Sequence, residues 1–299
     1  MTNIRHNPFQ GTGVALVTPF TAEGQVDHVG LRALVTHCLA GGVEFLVALG
    51  TTGESATLSP EEKSAVVQSI LDANSGQVPV VLGVGGNDTR AVCESLAHVP
   101  KGIQGILSVS PYYNKPSQEG IFQHYMAVAA ATDLPIILYN VPGRTASNVT
   151  AATTLRIADA CPNVVAVKEA SGQMEQIMAI IQGAPAGFQV LSGDDNLTLP
   201  MIACGATGVI SVSGQAFPGI FSQMVRDARA ARMTEAQKGH FALFALTQDL
   251  FAEGNPAGVK SALAHLGICG PHVRLPLWGV SPMLDAKMAQ HVSELRSGI

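Results

Sequence analysis

Eight short runs of apolar, often β-branched residues recur along the chain: GVALV, EFLVAL, VPVVLGV, GILSVS, PIILYN, VVAVK, FQVLS and GVISVS. Several are apolar at nearly every position, the pattern of strands covered on both faces of a parallel sheet. The segments between them follow helical spacing instead. Leu31, Leu34, Val35, Cys38 and Leu39 mark one helix face, and Gly41-Gly42 marks its stop. Ser59-Pro60-Glu61-Glu62 has the form of an N-cap, a first-turn proline and a capping-box glutamate, ahead of Val66, Val67, Ile70 and Leu71. Strand followed by helix, eight times over, predicts an α/β fold of the closed (β/α)8 TIM-barrel type; an open doubly wound sheet is the other arrangement that fits. FPGIFSQMVRDARAARM supplies the eighth helix, and the patterns around FALFALTQDLF, AGVKSALAHLG and SPMLDAKMAQHVSEL predict a small helical appendage. The expected division is a barrel over residues 1–233 and a C-terminal helical domain over 234–299.

Composition narrows the class. Hydrophobic residues make up 47% of the 299, yet no run approaches the roughly 18 apolar residues of a membrane span, so a soluble chain with much buried surface is expected. MTNIRHNPFQ has neither the apolar segment nor the cleavage site of a secretion leader, which makes the cytoplasm the expected compartment. Five scattered cysteines without a CxxC pair read as buried thiols, not as a disulfide framework or zinc site. A net charge of −5 without long runs of either sign gives no reason to expect nucleic acid or an anionic membrane as partner. GVGGN lacks the spacing of a nucleotide loop and reads as a strand-to-helix turn, while Asp194 and Asp195 of SGDD read as helix caps before they read as metal ligands. No histidine pair has HExxH spacing. The expected partner is a small molecule, with no metal involved.

In a barrel of this kind the reacting groups stand at the C-terminal ends of the strands. Thr51 and Thr52 follow the second strand in GTTGES, Tyr112 and Tyr113 follow the fourth in PYYNKP, Tyr139 and Arg144 end the fifth in LYNVPGRT, and Lys168 closes the sixth. Three of the four tyrosines thus fall at these ends. Singly, each residue has an ordinary reading: turn formation for the threonines, packing for the tyrosines, a surface ion pair for Arg144, an emerging strand end for Lys168. Their concurrence points to chemistry. At the usual pKa of about 10.4 a lysine amine is only about 0.04% neutral at pH 7. Bringing that value to between about 7 and 8 takes roughly 3–5 kcal/mol, within reach of an apolar strand end without a neighbouring carboxylate. Glu169 does not supply one, because adjacent strand residues face opposite sides. A neutral amine can form a Schiff base with a keto acid. The turn after Gly50, with the Thr51 and Thr52 hydroxyls, suits that acid's carboxylate; Arg144 suits a second carboxylate, and tyrosine hydroxyls suit proton transfer.

Taken together, GTTGES, SPYYNKP, LYNVPGRT, VKEASG, LSGDD, GVISV and NPAGVK resemble the dihydrodipicolinate synthase family of pyruvate-dependent class I lysine aldolases, over nearly the whole chain. The resemblance implies a (β/α)8 barrel with a C-terminal helical domain. It also implies condensation of pyruvate with L-aspartate 4-semialdehyde in the diaminopimelate route to lysine, without a cofactor. Lys168 matches the Schiff-base lysine and Tyr139 the tyrosine that assists imine formation and proton transfer. Thr51 matches the link from Tyr139 to a second tyrosine, Tyr113, which in the family a neighbouring subunit contributes across a tight dimer; two such dimers form a homotetramer. Thr52 matches the pyruvate-carboxylate contact, Arg144 the contact to the semialdehyde carboxylate, and Gly193 and Ile210 the lining of the pyruvate pocket. Ser55, Ala56, Asn87 and Tyr112 match the family's inhibitor site for lysine. Pro60 and Lys63 replace two histidines there and Ala91 replaces a glutamate, so the resemblance does not decide lysine sensitivity. Gln215 stands in SVSGQ where relatives commonly have SVTAN. N-acetylneuraminate lyase and other sugar-acid aldolases share the lysine and tyrosine but need sugar-binding groups where this chain has Arg144. A keto-acid-binding barrel without catalysis is the reading from another class, and Lys168, Tyr139 and Thr51 together oppose it.

Overall fold

In the computed structural model, residues 8–297 are described. Most of the stretch read for a leader, and the last two residues of the predicted appendage, lie outside them. The elements run β1 (Gly11–Ala15), α1 (His28–Ala40), β2 (Phe45–Ala48), α2 (Pro60–Asn74), β3 (Val80–Gly83), α3 (Thr89–Leu96), β4 (Gly105–Val109), α4 (Gln118–Ala130), β5 (Ile136–Asn140), the single turn α5 (Pro142–Thr145), α6 (Ala151–Ala160), β6 (Val164–Glu169), α7 (Met174–Gly183), β7 (Gln189–Ser192), α8 (Thr198–Ala203), β8 (Gly208–Ser211) and α9 (Pro218–Arg229). Then follow α10 (Met233–Ala252), α11 (Ala257–His265) and α12 (Pro282–Ser297). All strand pairs are parallel and in sequence order, and β8 pairs back onto β1, with Gly11 opposite Gly208 and Gly13 opposite Ile210. The sheet is therefore the closed barrel, not the open one.

Local signals behave as their chemistry requires. Ser59 accepts from the Glu62 N–H while the Glu62 carboxylate accepts from the Ser59 N–H, a complete capping box with Pro60 in the first turn. Leu31, Leu34, Val35 and Cys38 are all buried on α1, which ends at Gly41. The first strand begins two residues before the expected GVALV run, because Gly11 and Thr12 pair with Gly208 and Val209. Of the cysteines, Cys38 and Cys161 are buried as expected, Cys93 and Cys269 are half-buried, and Cys204 is exposed. Cys204 lies in the turn after α8, where an apolar helix face has already ended.

Two cores result. Between sheet and helices, Leu34, Ile70, Ile106, Val128, Ile157 and Val209 belong to a continuous apolar layer. Each such side chain contributes about 1.5–3 kcal/mol on burial. Inside the barrel, Phe45, Val47, Val81, Leu107, Ile137 and Leu191 pack on one another. Phe9 closes the N-terminal end: its ring lies 5.7 Å from that of Phe45, and a Cβ on Gly105 would come within 2.4 Å of it. The opposite end, where the strands finish, holds the polar groups. No helix among the described residues is long and apolar enough to cross a membrane.

Candidate active site

Strand alternation sorts the end of β6. Lys168 pairs with Tyr139 of β5 and Leu191 of β7 and faces the interior, 5% exposed, with Nζ 4.2 Å from the centroid of the Tyr139 ring. Among the described residues no carboxylate lies within ion-pair distance of it. Glu169 is turned outward, as alternation requires. Its carboxylate accepts from Asn140 Nδ2 at 3.1 Å to each oxygen, from Gln176 Nε2 at 3.2 Å and from the Ser171 N–H at 2.8 Å. Gly193 makes room beside the lysine, since a Cβ there would come within 3.0 Å of Lys168 Cε. Ile210, 1% exposed, belongs to the same interior cluster as Tyr139 and Leu191.

Tyr139 has a second side. Above the interior lies a cavity of about 620 Å³, lined by Tyr139, Thr51, Arg144, Ser55, Ala56 and Tyr112 among others. Lys168, Thr52, Gly193 and Ile210 are not among its lining residues, so Tyr139 is the side chain common to the cavity and the lysine. Arg144 stands on α5, exposed and without an ion-pair partner among the described residues. Lys63 also lines the cavity.

The turn after β2 is shaped by strain and close approach. Leu49 has φ +54°, a conformation bulky residues rarely adopt, and a Cβ on Gly83 would come within 2.4 Å of the Leu49 carbonyl oxygen. The chain then makes a 3₁₀ turn over Thr51–Gly53. Thr52 is buried and its Oγ1 accepts from Asn255 Nδ2 at 2.9 Å, whereas Thr51 is exposed and makes no hydrogen bond to Tyr139 among the described residues.

Two further residues read from the sequence stand apart from both the cavity and the interior around Lys168. Tyr113 is 87% exposed, with φ +71°, and does not line it in a single chain. Asn87 is exposed, and its carbonyl accepts from Asn114 Nδ2 at 3.1 Å. The helix-cap reading of SGDD holds for one aspartate only: Asp194 stands at the N-cap position of the 3₁₀ turn Asp195–Leu197, whose Asn196 and Leu197 N–H groups favour its charged form, whereas Asp195 accepts from the N–H groups of Val212 and Ser213 at 3.0 and 2.7 Å, fixing the loop after β8. Burial, with Asp195 alongside, raises the pKa of Asp194. Gln215 holds the C-terminal end of β1, accepting from the Val17 N–H and donating to the Ala15 carbonyl, each at 2.9 Å.

The C-terminal segment carries groups to which the sequence assigned no role. Lys260 on α11 donates to Glu54 at 2.5 Å and to the His272 carbonyl at 2.7 Å, both members of the ion pair being fully buried. Burial pulls the Lys260 pKa down, against the opposing pull of Glu54. The Arg274 N–H donates to the other Glu54 oxygen at 3.0 Å, and its guanidinium holds Glu62, whose pKa is lowered to about 2 by that contact. NPAGVK and RLPL contain Asn255, Lys260 and Arg274, but nothing local in either segment names a partner some 200 residues away.

Comparison with known proteins places this geometry. The family model described as Dihydrodipicolinate synthetase family matches residues 8–295. The chain is 50% identical over 288 residues to 4-hydroxy-tetrahydrodipicolinate synthase of Flavobacterium psychrophilum, covering 96% of this chain and 98% of that one. It is 53% identical over 269 residues to the enzyme of the same name from Parabacteroides distasonis, covering 90% and 91%. The crystal structure of dihydrodipicolinate synthase from Aquifex aeolicus superposes with a TM-score of 0.92 at 40% identity, over 96% of this chain and 98% of that chain. A family model spanning almost every described residue, over a barrel that buries its lysine beneath a tyrosine, leaves one assignment: the chain belongs to the dihydrodipicolinate synthetase family.

Proposed function

We propose that the chain is a 4-hydroxy-tetrahydrodipicolinate synthase, condensing pyruvate with L-aspartate 4-semialdehyde on Lys168. The observation that carries the reading is the buried Lys168 amine, 4.2 Å from the Tyr139 ring and without a carboxylate partner among the described residues, at the open end of the barrel. In the proposed cycle the neutral amine attacks the pyruvate carbonyl and loses water to give an imine. Loss of a C3 proton makes the enamine, whose carbon attacks the semialdehyde carbonyl; the resulting alkoxide takes up a proton. The amino group of the second substrate then adds to the imine carbon and expels the lysine, closing the ring and freeing the enzyme. Tyr139 moves protons in these steps, with Thr51 and a neighbouring chain's Tyr113 completing the relay. Thr52 receives the pyruvate carboxylate within a pocket formed by Gly193 and Ile210, and Arg144 receives that of the semialdehyde. A tight dimer belongs to this proposal, because exposed Tyr113 does not line the cavity of its own chain, and the pairing of two such dimers into a homotetramer is what the resemblance implies.

Borohydride reduction with pyruvate, followed by peptide mapping, tests it directly. The expected result is one adduct, on Lys168, that added aspartate semialdehyde depletes. Depletion only by N-acetylmannosamine would move the chain to the sugar-acid aldolases, and no adduct at all would remove the Schiff-base mechanism.

A further inference from the structure

The side-chain amide of Asn255 belongs to the connection between α10 and α11, yet it is 8% exposed and ends against the turn after β2. Its Nδ2 donates to Thr52 Oγ1 at 2.9 Å, across 203 positions of sequence. A threonine hydroxyl has one hydrogen to give and two lone pairs to accept with. The amide occupies a lone pair, so the Thr52 hydrogen is not spent on Asn255, and among the described residues it finds no other acceptor. The Asn255 Oδ1 is itself buried without a partner among the described residues, a cost in stability that a residue kept for packing alone would avoid. The same connection leads into α11, whose Lys260 grips Glu54 two residues beyond Thr52.

We infer that Asn255 is a positioning residue for the keto-acid carboxylate: by donating to Thr52 it fixes that hydroxyl as a donor and aims its hydrogen at a ligand oxygen. This rests on the proposed role of Thr52 as the carboxylate contact. Two consequences are specific to the geometry. Asn255→Ala frees the hydroxyl to rotate and weakens capture of a carboxylate, but not of a neutral carbonyl. Asn255→Asp keeps the shape but reverses the hydrogen bond, so Thr52 donates to Asp and a negative charge sits beside the carboxylate.

The test is borohydride trapping at Lys168 as a function of ketone concentration, with pyruvate and with hydroxyacetone, which lacks the carboxylate. For Asn255→Ala the half-saturating pyruvate concentration is expected to rise about tenfold, and for Asn255→Asp by more, while the hydroxyacetone curve stays that of the parent protein. In a Thr52→Val background, Asn255→Ala should add nothing further for pyruvate. Equal losses for both ketones would reduce Asn255 to a structural role and overturn the inference, as would unchanged pyruvate curves in both variants. A parent protein that traps neither ketone at Lys168 would instead sink the proposed function, before Asn255 is tested.

Discussion

Lys168 and Glu169 are joined by one peptide bond and face opposite surroundings. The amine lies against an aromatic ring inside the barrel, and the carboxylate lies in a ladder of amides among the helices. Since hydrogen bonds and not a cation satisfy Glu169, its charge is anchored away from the amine. Lys168→Ala should therefore keep the fold and lose turnover by at least about 10³-fold, because the covalent route disappears altogether. Unchanged far-ultraviolet circular dichroism with abolished aldol condensation is the expected pair of readings; retained turnover would exclude the imine. A second titratable group bears on stability. His124 is buried, with Nδ1 2.9 Å from Thr89 Oγ1 and Nε2 without a partner among the described residues, and burial lowers its pKa from 6.5 to about 4. The unfolded chain then binds the proton more readily than the folded one between those values, so this contribution is present above pH 6.5 and is lost as the pH falls toward 4. Denaturant unfolding at pH 7 and pH 5 should show His124 contributing a decrease of about 2 kcal/mol that His124→Asn removes.

At the scale of elements, the turn after β2 is held from both directions in sequence: by the strand that leads into it and by α11, far along the chain. The Glu54–Lys260 pair is fully buried, so removing one partner leaves an uncompensated charge. Lys260→Met should cost about 3–5 kcal/mol in thermal or chemical unfolding, and adding Glu54→Gln should recover part of that loss rather than deepen it. Additive losses would mean that the two residues do not act as a pair. The same elements mark what a single sequence makes legible. The capping box at Ser59 and Glu62 closes within four residues, and the strands announce themselves by apolar runs, so both could be read directly. The strand-end residues Lys168, Tyr139, Thr51 and Arg144 could be singled out because a barrel places such ends together. Asn255 with Thr52, and Lys260 with Glu54, are 203 and 206 positions apart, and a contact at that separation leaves no periodicity to find. Asp195 misled for a related reason: an aspartate in a strand-to-helix turn has the form of a cap, but that place goes to Asp194, and the loop after β8 offers two N–H groups that claim the Asp195 carboxylate.

The whole molecule is a barrel plugged at one end by Phe9 and open at the other, where a cation, hydroxyls and a tyrosine ring surround the cavity but Tyr113 stays outside it. A tyrosine at φ +71° and 87% exposed is an expensive ornament for a monomer: it pays backbone strain and buries no ring. Both features are explained if Tyr113 serves the site of a second chain, and subunit mixing separates that case from action within one chain. Lys168→Ala chains have no amine, and Tyr113→Phe chains have the amine but an impaired relay, so each assembly alone should be inactive or slow. In a mixed pair, the Tyr113→Phe chain keeps Lys168 and receives an intact Tyr113 from its neighbour, restoring one of the two sites. Co-refolding the two variants in equal amounts should then recover roughly a quarter of parental activity per chain, since random pairing makes half the dimers mixed and each carries one working site. If Tyr113 acted within its own chain, mixing would give no more than the average of the two separate activities.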